Sequence, residues 1–367
     1  LLATVRPKHP YIFRQKMSPM AKRKLNKQQR NRIAENHDAA LANTSDCLPG
    51  VIAVHYGNEV EVVAASDGKP INIDTLFRCH VRANLPAIVC GDHVLWRPAE
   101  KHAESGVIEA LEKRTSVISR PRPYHDPKPV AANIDLILLV IAPQPEPIIN
   151  LIDRYLIAAE NSGIDAALLI NKTDLLSEPS SAEALAELND LVDLYLSLGY
   201  PVYQYQSNDN GAPDTAHLPS AKTFELNEVL GGKTSILVGQ SGVGKSSIIN
   251  KLSGHMVANI GQISQANEKG RHTTTNAQLY FLDTDKSDQI SAIIDSPGIR
   301  EFALWHLSHD DIIDGLGEFR EHVGRCRFRD CEHGVSAGCA LQQAFDNGDI
   351  HPYRVASYKH ILESQKK

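Results

Sequence analysis

At 367 residues with 42% hydrophobic content, the chain is long enough for two or three units with cores of their own. No apolar run approaches the ~18 residues of a membrane span, and the first residues lack a signal-peptide hydrophobic region, so a membrane role is not expected and the cytoplasm is. The net charge of −6 is unevenly spread: residues 1–34 carry ten Lys/Arg and no Asp or Glu, leaving −16 on the rest.

Residue 1 is Leu, and Met17 or Met20 is read as the native start. Residues 1–47 are read as a basic, disordered arm. Lys22 to Arg32 has good helix formers but no apolar face, which fits a segment that orders on a phosphate backbone or a solubilising tail. Residues 48–118 hold short apolar runs (Val51–His55, Val60–Val63, Leu76–Arg82, His93–Trp96) separated by turn signals, the pattern of a small β-barrel, with an OB-fold as the leading candidate. Arg78 and Arg82 lie on these runs and either face RNA or sit in solvent.

Residues 119–132 carry four prolines and read as a stiff linker. Ile134–Ala142 then reads as a buried strand, Ile149–Asn161 as a helix and Ala166–Ile170 as a second strand. Units of this type build a parallel sheet with ligands at the strand C-termini. The second strand runs into Asn171-Lys172-Thr173-Asp174, an N-K-x-D. An aspartate there can accept from both N1–H and the exocyclic amine of guanine, a donor pair that adenine lacks.

Ile236–Val238 reads as another buried strand, followed by Gly239-Gln240-Ser241-Gly242-Val243-Gly244-Lys245-Ser246-Ser247 and an amphipathic helix with Ile248, Ile249 and Leu252. This is G-x-x-x-x-G-K-S between strand and helix, as a phosphate-cradling loop requires. Its backbone N–H groups and the helix N-terminus favour phosphate, Lys245 can reach the terminal phosphates, and the Ser246 hydroxyl can ligate Mg²⁺. Ala292-Ile-Ile-Asp295-Ser-Pro-Gly298 is an apolar strand ending in D-x-x-G. Asp295 suits the Mg²⁺ shell and the Gly298 N–H suits the γ-phosphate, while Ile299 stands where a water-orienting glutamine is often found.

Near the end, Cys326-x₄-Cys331-x-His333-x₅-Cys339 offers three thiolates and one imidazole, a closed tetrahedral set for one structural Zn²⁺. Arg325, Arg327 and Arg329 interleave with these residues and present guanidinium groups either to RNA phosphates or to solvent. Leu341–Glu363 is expected to form helices on this knuckle. Cys47, Cys79 and Cys90 are too widely spaced for a metal motif.

The base-reading motif precedes the phosphate loop, the reverse of the usual order, and a parallel sheet can keep its spatial arrangement when the chain is cut and rejoined. With that order, the barrel and the cysteine knuckle, residues 20–365 resemble the circularly permuted, ribosome small-subunit-dependent GTPases of the RsgA/YjeQ family. The resemblance implies a P-loop GTPase domain at 119–318 and an α-helical zinc-binding domain at 319–367. It also implies a monomer that hydrolyses GTP to GDP with Mg²⁺, stimulated by the 30S subunit and its 16S rRNA during late maturation. Gly270–Thr275 is similar to the family's first switch, with Thr274 closing on Mg²⁺ and His272 orienting the attacking water in place of glutamine. Tyr203–Asn208 stands where a loop completing the base pocket belongs, with Ser207 as its candidate residue, although the stretch departs from the family's small-residue pattern. Two other readings stay open: a permuted GTPase of another ribonucleoprotein, and an RNA-binding assembly factor whose nucleotide site is structural.

Overall fold

The structure, a computed structural model, describes residues 46–66, 69–70, 73, 75–99, 102–122, 125–176, 182–205, 218–253, 277–282, 291–295, 307–329, 331, 333 and 337–365. The first elements are strands β1 (Leu48–His55), β2 (Glu59–Ser66), the two-residue β3 (Lys69–Pro70), β4 (Leu76–Val81), β5 (His93–Ala99) and β6 (His102–Leu111). β1 pairs with β2, β2 with β4, β4 with β6 in parallel, β6 with β5 and β5 with β1, so five strands close on themselves. Counting only these five strands along the chain, the order is 1-2-3-5-4-1 with one parallel pair, an OB-type barrel. Its core gathers Ile52, Val60, Val62, Cys79, Val94, Trp96 and Ile108.

β6 was not among the strands expected from the sequence. Its first residues are polar, and Gly106 interrupts the apolar pattern. The glycine is there because the sheet leaves no room: a Cβ at 106 would lie 2.8 Å from the Trp96 ring and 2.7 Å from the Arg97 carbonyl. From Gly106 onward the inward face alternates through Ile108 and Ala110, all buried.

The stretch read as a linker is instead a hairpin of β7 (Val117–Arg122) and β8 (His125–Ala132). A two-stranded ribbon has only edge strands, where a proline's missing N–H costs no ladder bond, and the register shifts take up the irregularity. The hairpin ends in a polar joint. Buried Asn133 donates from its amide to the Gly91 carbonyl and accepts from the Thr115 backbone, tying the barrel to the end of the hairpin. Beside it, Asp92, fully buried, takes two bonds from the Arg114 guanidinium at 2.7 and 2.8 Å.

Next come β9 (Leu136–Ile141), α1 (Ile149–Ser162), β10 (Asp165–Ile170), a 3₁₀ turn (Thr173–Leu176), α2 (Ala182–Ser197), β11 (Val202–Gln204), the short β12 (Lys222–Thr223), α3 (Leu226–Leu230), β13 (Thr234–Val238), α4 (Lys245–Ser253), β14 (Gln278–Leu282) and β15 (Ser291–Asp295). The sheet order is β12-β11-β10-β9-β13-β15-β14, parallel except for β14. All six residues of β9 are buried, as a central strand covered on both faces requires. β14 also meets β1 at Val54 and Gln278, so barrel and sheet are continuous.

The last part holds α5 (His309–Asp314), opened by a capping box between Ser308 and Asp311, a 3₁₀ turn (Gly317–Phe319), α6 (Ala340–Asn347) and α7 (Pro352–Gln365). Its core of Ile312, Phe319, Leu341, Tyr358 and Ile361 includes Ile157 and Ala158 of α1. Arg354 of α7 is fully buried and bonds Asp153 of α1 and, at 2.6 and 3.1 Å, both oxygens of Glu318; Asp153 also accepts from the Tyr195 hydroxyl of α2. Burial pushes the Asp153 carboxyl up, and the Arg354 guanidinium pulls it partly back.

Candidate nucleotide site and metal centre

β9, β10, β13 and β15 run in parallel, so the residues that leave their C-terminal ends converge on one rim of the sheet. Asn171-Lys172-Thr173-Asp174 leaves β10, Gly239–Ser246 leaves β13, and Asp295 is the last residue of β15.

The two motifs that stand far apart in the chain touch here. Asn171, 5% exposed, donates from its amide to the Val243 carbonyl at 2.9 Å. Lys172 has a positive φ of 58°, which turns its side chain over the loop, and its ammonium bonds the carbonyls of Gly242 (2.7 Å) and Gln144 (3.2 Å). The glycines are set by this crowding. At Gly244 (φ +96) a Cβ would stand 2.2 Å from the Asn171 amide, and at Gly239 (φ +133) it would stand 2.2 Å from the Val140 carbonyl of β9.

Lys245 opens α4 and folds back onto the carbonyls of Gly239 and Gln240, both at 2.7 Å. Ser246 and Ser247 are in the first turn, while Val243, Ile248, Ile249 and Leu252 anchor loop and helix in the core. Gln240, Ser241 and Gly242 lie on the open side of the loop; Thr173 is buried and Asp174 exposed. This is a rim of backbone N–H groups, one lysine, a helix N-terminus and an exposed carboxylate, chemistry that suits an anion on the loop and a hydrogen-bond donor on the acid. From α1, the buried Tyr155 hydroxyl lies against the Gly239 backbone, which offsets part of the upward pull of burial on that phenol.

His272, Thr274, Gly298 and Ser207 lie outside the described residues. Motif reading missed the segment between β9 and α1, whose Gln144 carbonyl holds Lys172 and whose Pro145 lies 3.7 Å from where a Gly242 Cβ would be. Nothing but spatial proximity marks that segment, and no sequence pattern announces it.

The second cluster is Cys326, Cys331, His333 and Cys339, whose ligand atoms all lie within 4.8 Å of one another. His333 Nδ1 is 3.5 Å from Cys326 Sγ and 3.9 Å from Cys339 Sγ. Tetrahedral zinc with thiolate and imidazole bonds sets such edges at about 3.5–3.8 Å. Backbone N–H groups of Ala340 and Gln342 donate to the Cys326 and Cys339 sulfurs at 3.4 Å each, which fixes both sulfurs in place. The four residues therefore fit a closed metal site.

On the barrel, Arg78 is held by Glu59 at 2.6 Å and Arg82 by Glu109 at 2.7 Å. Their charges are largely spent within the protein.

Fold and site together define a circularly permuted P-loop GTPase, a GTP hydrolase that works with Mg²⁺. The sequence model of the RsgA GTPase family matches residues 111–305. Proteins named small ribosomal subunit biogenesis GTPase RsgA are similar over most of the chain. That of Pseudomonas aeruginosa PAO1 is 47% identical over 315 residues, 86% of this chain and 85% of its own length. That of Pseudomonas putida F1 is 42% identical over 361 residues (94% and 98%), and that of Alcanivorax borkumensis is 43% identical over 360 residues (94% and 96%). The chain belongs to the RsgA GTPase family. Among solved structures, YloQ, a circularly permuted GTPase, shares the fold with a TM-score of 0.61 at 22% identity, over 88% of this chain and 96% of that one. YjeQ from Thermotoga maritima gives 0.60 at 26% identity, over 86% and 98%.

Proposed function

We propose that this protein binds the small (30S) ribosomal subunit through 16S rRNA and acts in its late maturation, hydrolysing GTP to GDP and phosphate when the subunit stimulates it. It works as a monomer in the cytoplasm, built from an arm (1–47), an OB barrel (48–118), the permuted GTPase domain (119–318) and a zinc domain (319–367). The bond from Asn171 to Val243 carries the reading of the site, because it makes one pocket of two motifs 72 positions apart. The 42–47% identity to proteins named for small-subunit biogenesis supports the partner.

In this reading the Asp174 carboxylate accepts from guanine N1–H and its exocyclic amine, while Asn171 and the Lys172 stem brace the base side of the loop. Gly239 to Ser247 cradle the phosphates, and Lys245 exchanges its two carbonyl partners for phosphate oxygens. Ser246, Thr274 and Asp295 would hold the Mg²⁺ that enters with GTP, and that ion would supply neutralisation of phosphate charge. Gly298 meets the γ-phosphate, and His272 orients a water whose oxygen attacks the γ-phosphorus as the bridging oxygen leaves with GDP. Cys326, Cys331, His333 and Cys339 hold one structural Zn²⁺.

Steady-state hydrolysis with 30S subunits, 50S subunits or neither tests this. Stimulation by 30S alone, lost in His272→Ala with nucleotide binding kept, is the expected result. Stimulation by 50S points instead to another ribonucleoprotein, and none at all to an RNA-binding factor with a structural nucleotide site, a reading that Ile299 keeps open; either result refutes the proposal.

A further inference from the structure

Phe328 is 54% exposed, the most exposed of the large apolar side chains among the described residues. It follows the metal-ligand candidate Cys326 by two positions, so the knuckle presents it on a short, constrained loop. Arg327 covers one side of its ring, with Cζ 5.6 Å from the centroid. That arginine is fixed from the other side of the knuckle. Its backbone N–H donates to the Gly338 carbonyl at 2.9 Å, and its Cβ lies 2.9 Å from where a side chain on Gly338 would begin.

The surrounding charge is equally particular. Arg325, Arg327 and Arg329 line the same loop, and among the described residues no carboxylate holds any of them. Elsewhere Arg78, Arg82, Arg114, Arg320 and Arg354 are each paired with an Asp or Glu. Two acidic residues of the same stretch, Asp330 and Glu332, lie outside the described residues. An exposed aromatic ring backed by one guanidinium and flanked by two more is the arrangement that takes a base on the ring and phosphates on the cations.

Resting on the reading that the protein binds ribosomal RNA, we propose that Phe328 is a stacking platform for one unpaired RNA base. Arg327 closes one face of the ring, and Arg325 and Arg329 hold the adjoining phosphates. The ring selects single-stranded over paired RNA, since a paired base offers no free face.

The test uses the zinc-loaded full chain and fluorescence anisotropy with three probes of about ten nucleotides: single-stranded oligo(A), an abasic ribose-phosphate strand, and an A·U duplex. Charge on residues 1–34 acts alike on the first two, so their difference isolates the ring. The wild type is expected to prefer oligo(A). Phe328→Leu should weaken oligo(A) binding by about 5- to 150-fold, the range for one base–aromatic stack, and leave the abasic strand and duplex unchanged. Phe328→Trp should restore it, and Arg325→Ala with Arg329→Ala should weaken both single strands and flatten the salt dependence. Zinc content and thermal unfolding of Phe328→Leu report whether the knuckle is intact, and Phe328→Tyr serves where Leu disturbs it. A wild type with no preference for oligo(A), or a Phe328→Leu variant that binds it equally well or loses both strands equally, overturns the proposal. If 30S-stimulated hydrolysis survives such a result, only the stacking role falls.

Discussion

Asn171 is the point at which two remote pieces of the chain become one site, and it does so with a single amide. Asn171→Ala leaves the Val243 carbonyl without that donor in a buried setting, at a cost of about 1–3 kcal/mol. The expected outcome is a weaker GDP complex, measured calorimetrically, with the sheet intact by circular dichroism. Gly244→Ala goes further, because its Cβ would overlap the same amide and its backbone angle disfavours any side chain. That variant should lose about 5- to 150-fold in GDP affinity, from roughly 1–3 kcal/mol of strain. Unaltered binding in Gly244→Ala would mean that the loop is not held as described.

At the scale of elements, the most consequential joint is between α7 and the helices of the GTPase sheet. Arg354 is enclosed by Asp153, Glu318 and Tyr195. Arg354→Ala leaves the Asp153 carboxylate buried without its cation, a loss of about 3–5 kcal/mol by urea unfolding. Arg354→Lys should recover only part, since an ammonium cannot form the two-pronged bond to Glu318. The pH dependence has a definite sign. Burial, the largest influence, raises the Asp153 carboxyl, and Arg354 opposes it. A carboxyl raised in the folded state binds a proton more readily there than in the unfolded chain, so this stabilisation is present at low pH and lost as pH rises through the folded-state value. Without Arg354 the rise is greater, and the deficit of Arg354→Ala should shrink as pH is lowered from about 8 to about 5. A deficit that grows on acidification would contradict the assignment.

How much of this the sequence carried depended on what kind of signal each element left. β9 is an uninterrupted apolar run and β13 ends in one, Ile236–Val238, so both could be read directly, as could G-x-x-x-x-G-K-S and the Cys/His spacing, where chemistry dictates both residue type and interval. β6 could not, because Gly106 answers to the Trp96 ring across the barrel, a contact without local trace. The β7–β8 hairpin was hidden by its prolines, which composition assigns to a linker and edge strands tolerate. α2, not expected from the sequence, buries only Leu188, Leu191, Val192, Leu194 and Tyr195 along an otherwise acidic helix. The buried Arg354–Asp153 pair joins positions 201 apart and nothing local announces it.

Over the whole molecule, charge is sorted rather than spread. Arg78 and Arg82 of the barrel pair with its own glutamates, residues 1–34 carry ten basic residues and no acidic one, and the knuckle carries three guanidinium groups. The knuckle's geometry rests on Cys326, Cys331, His333 and Cys339, and Cys339 also accepts from Gln342 at the start of α6. Stripping zinc with a chelator should therefore lower the thermal midpoint and release one zinc per chain, counted by atomic absorption. GDP affinity should change little, because the nucleotide rim shares no residue with the cluster. Loss of GDP binding on chelation would show that the two sites are not separable.

The permuted order of motifs is the central claim, and one base-swapping experiment reaches it most directly. Asp174→Asn replaces an acceptor for guanine N1–H and amine with an amide that can donate to the carbonyl xanthine carries in place of that amine. GDP and XDP affinities of wild type and variant, by isothermal titration, should show GDP preferred by the wild type and XDP by the variant, with the β-phosphate still held by Lys245 in both. A variant that keeps its preference for GDP would place the base elsewhere and contradict the pocket formed by Asn171–Asp174 and Gly239–Ser246.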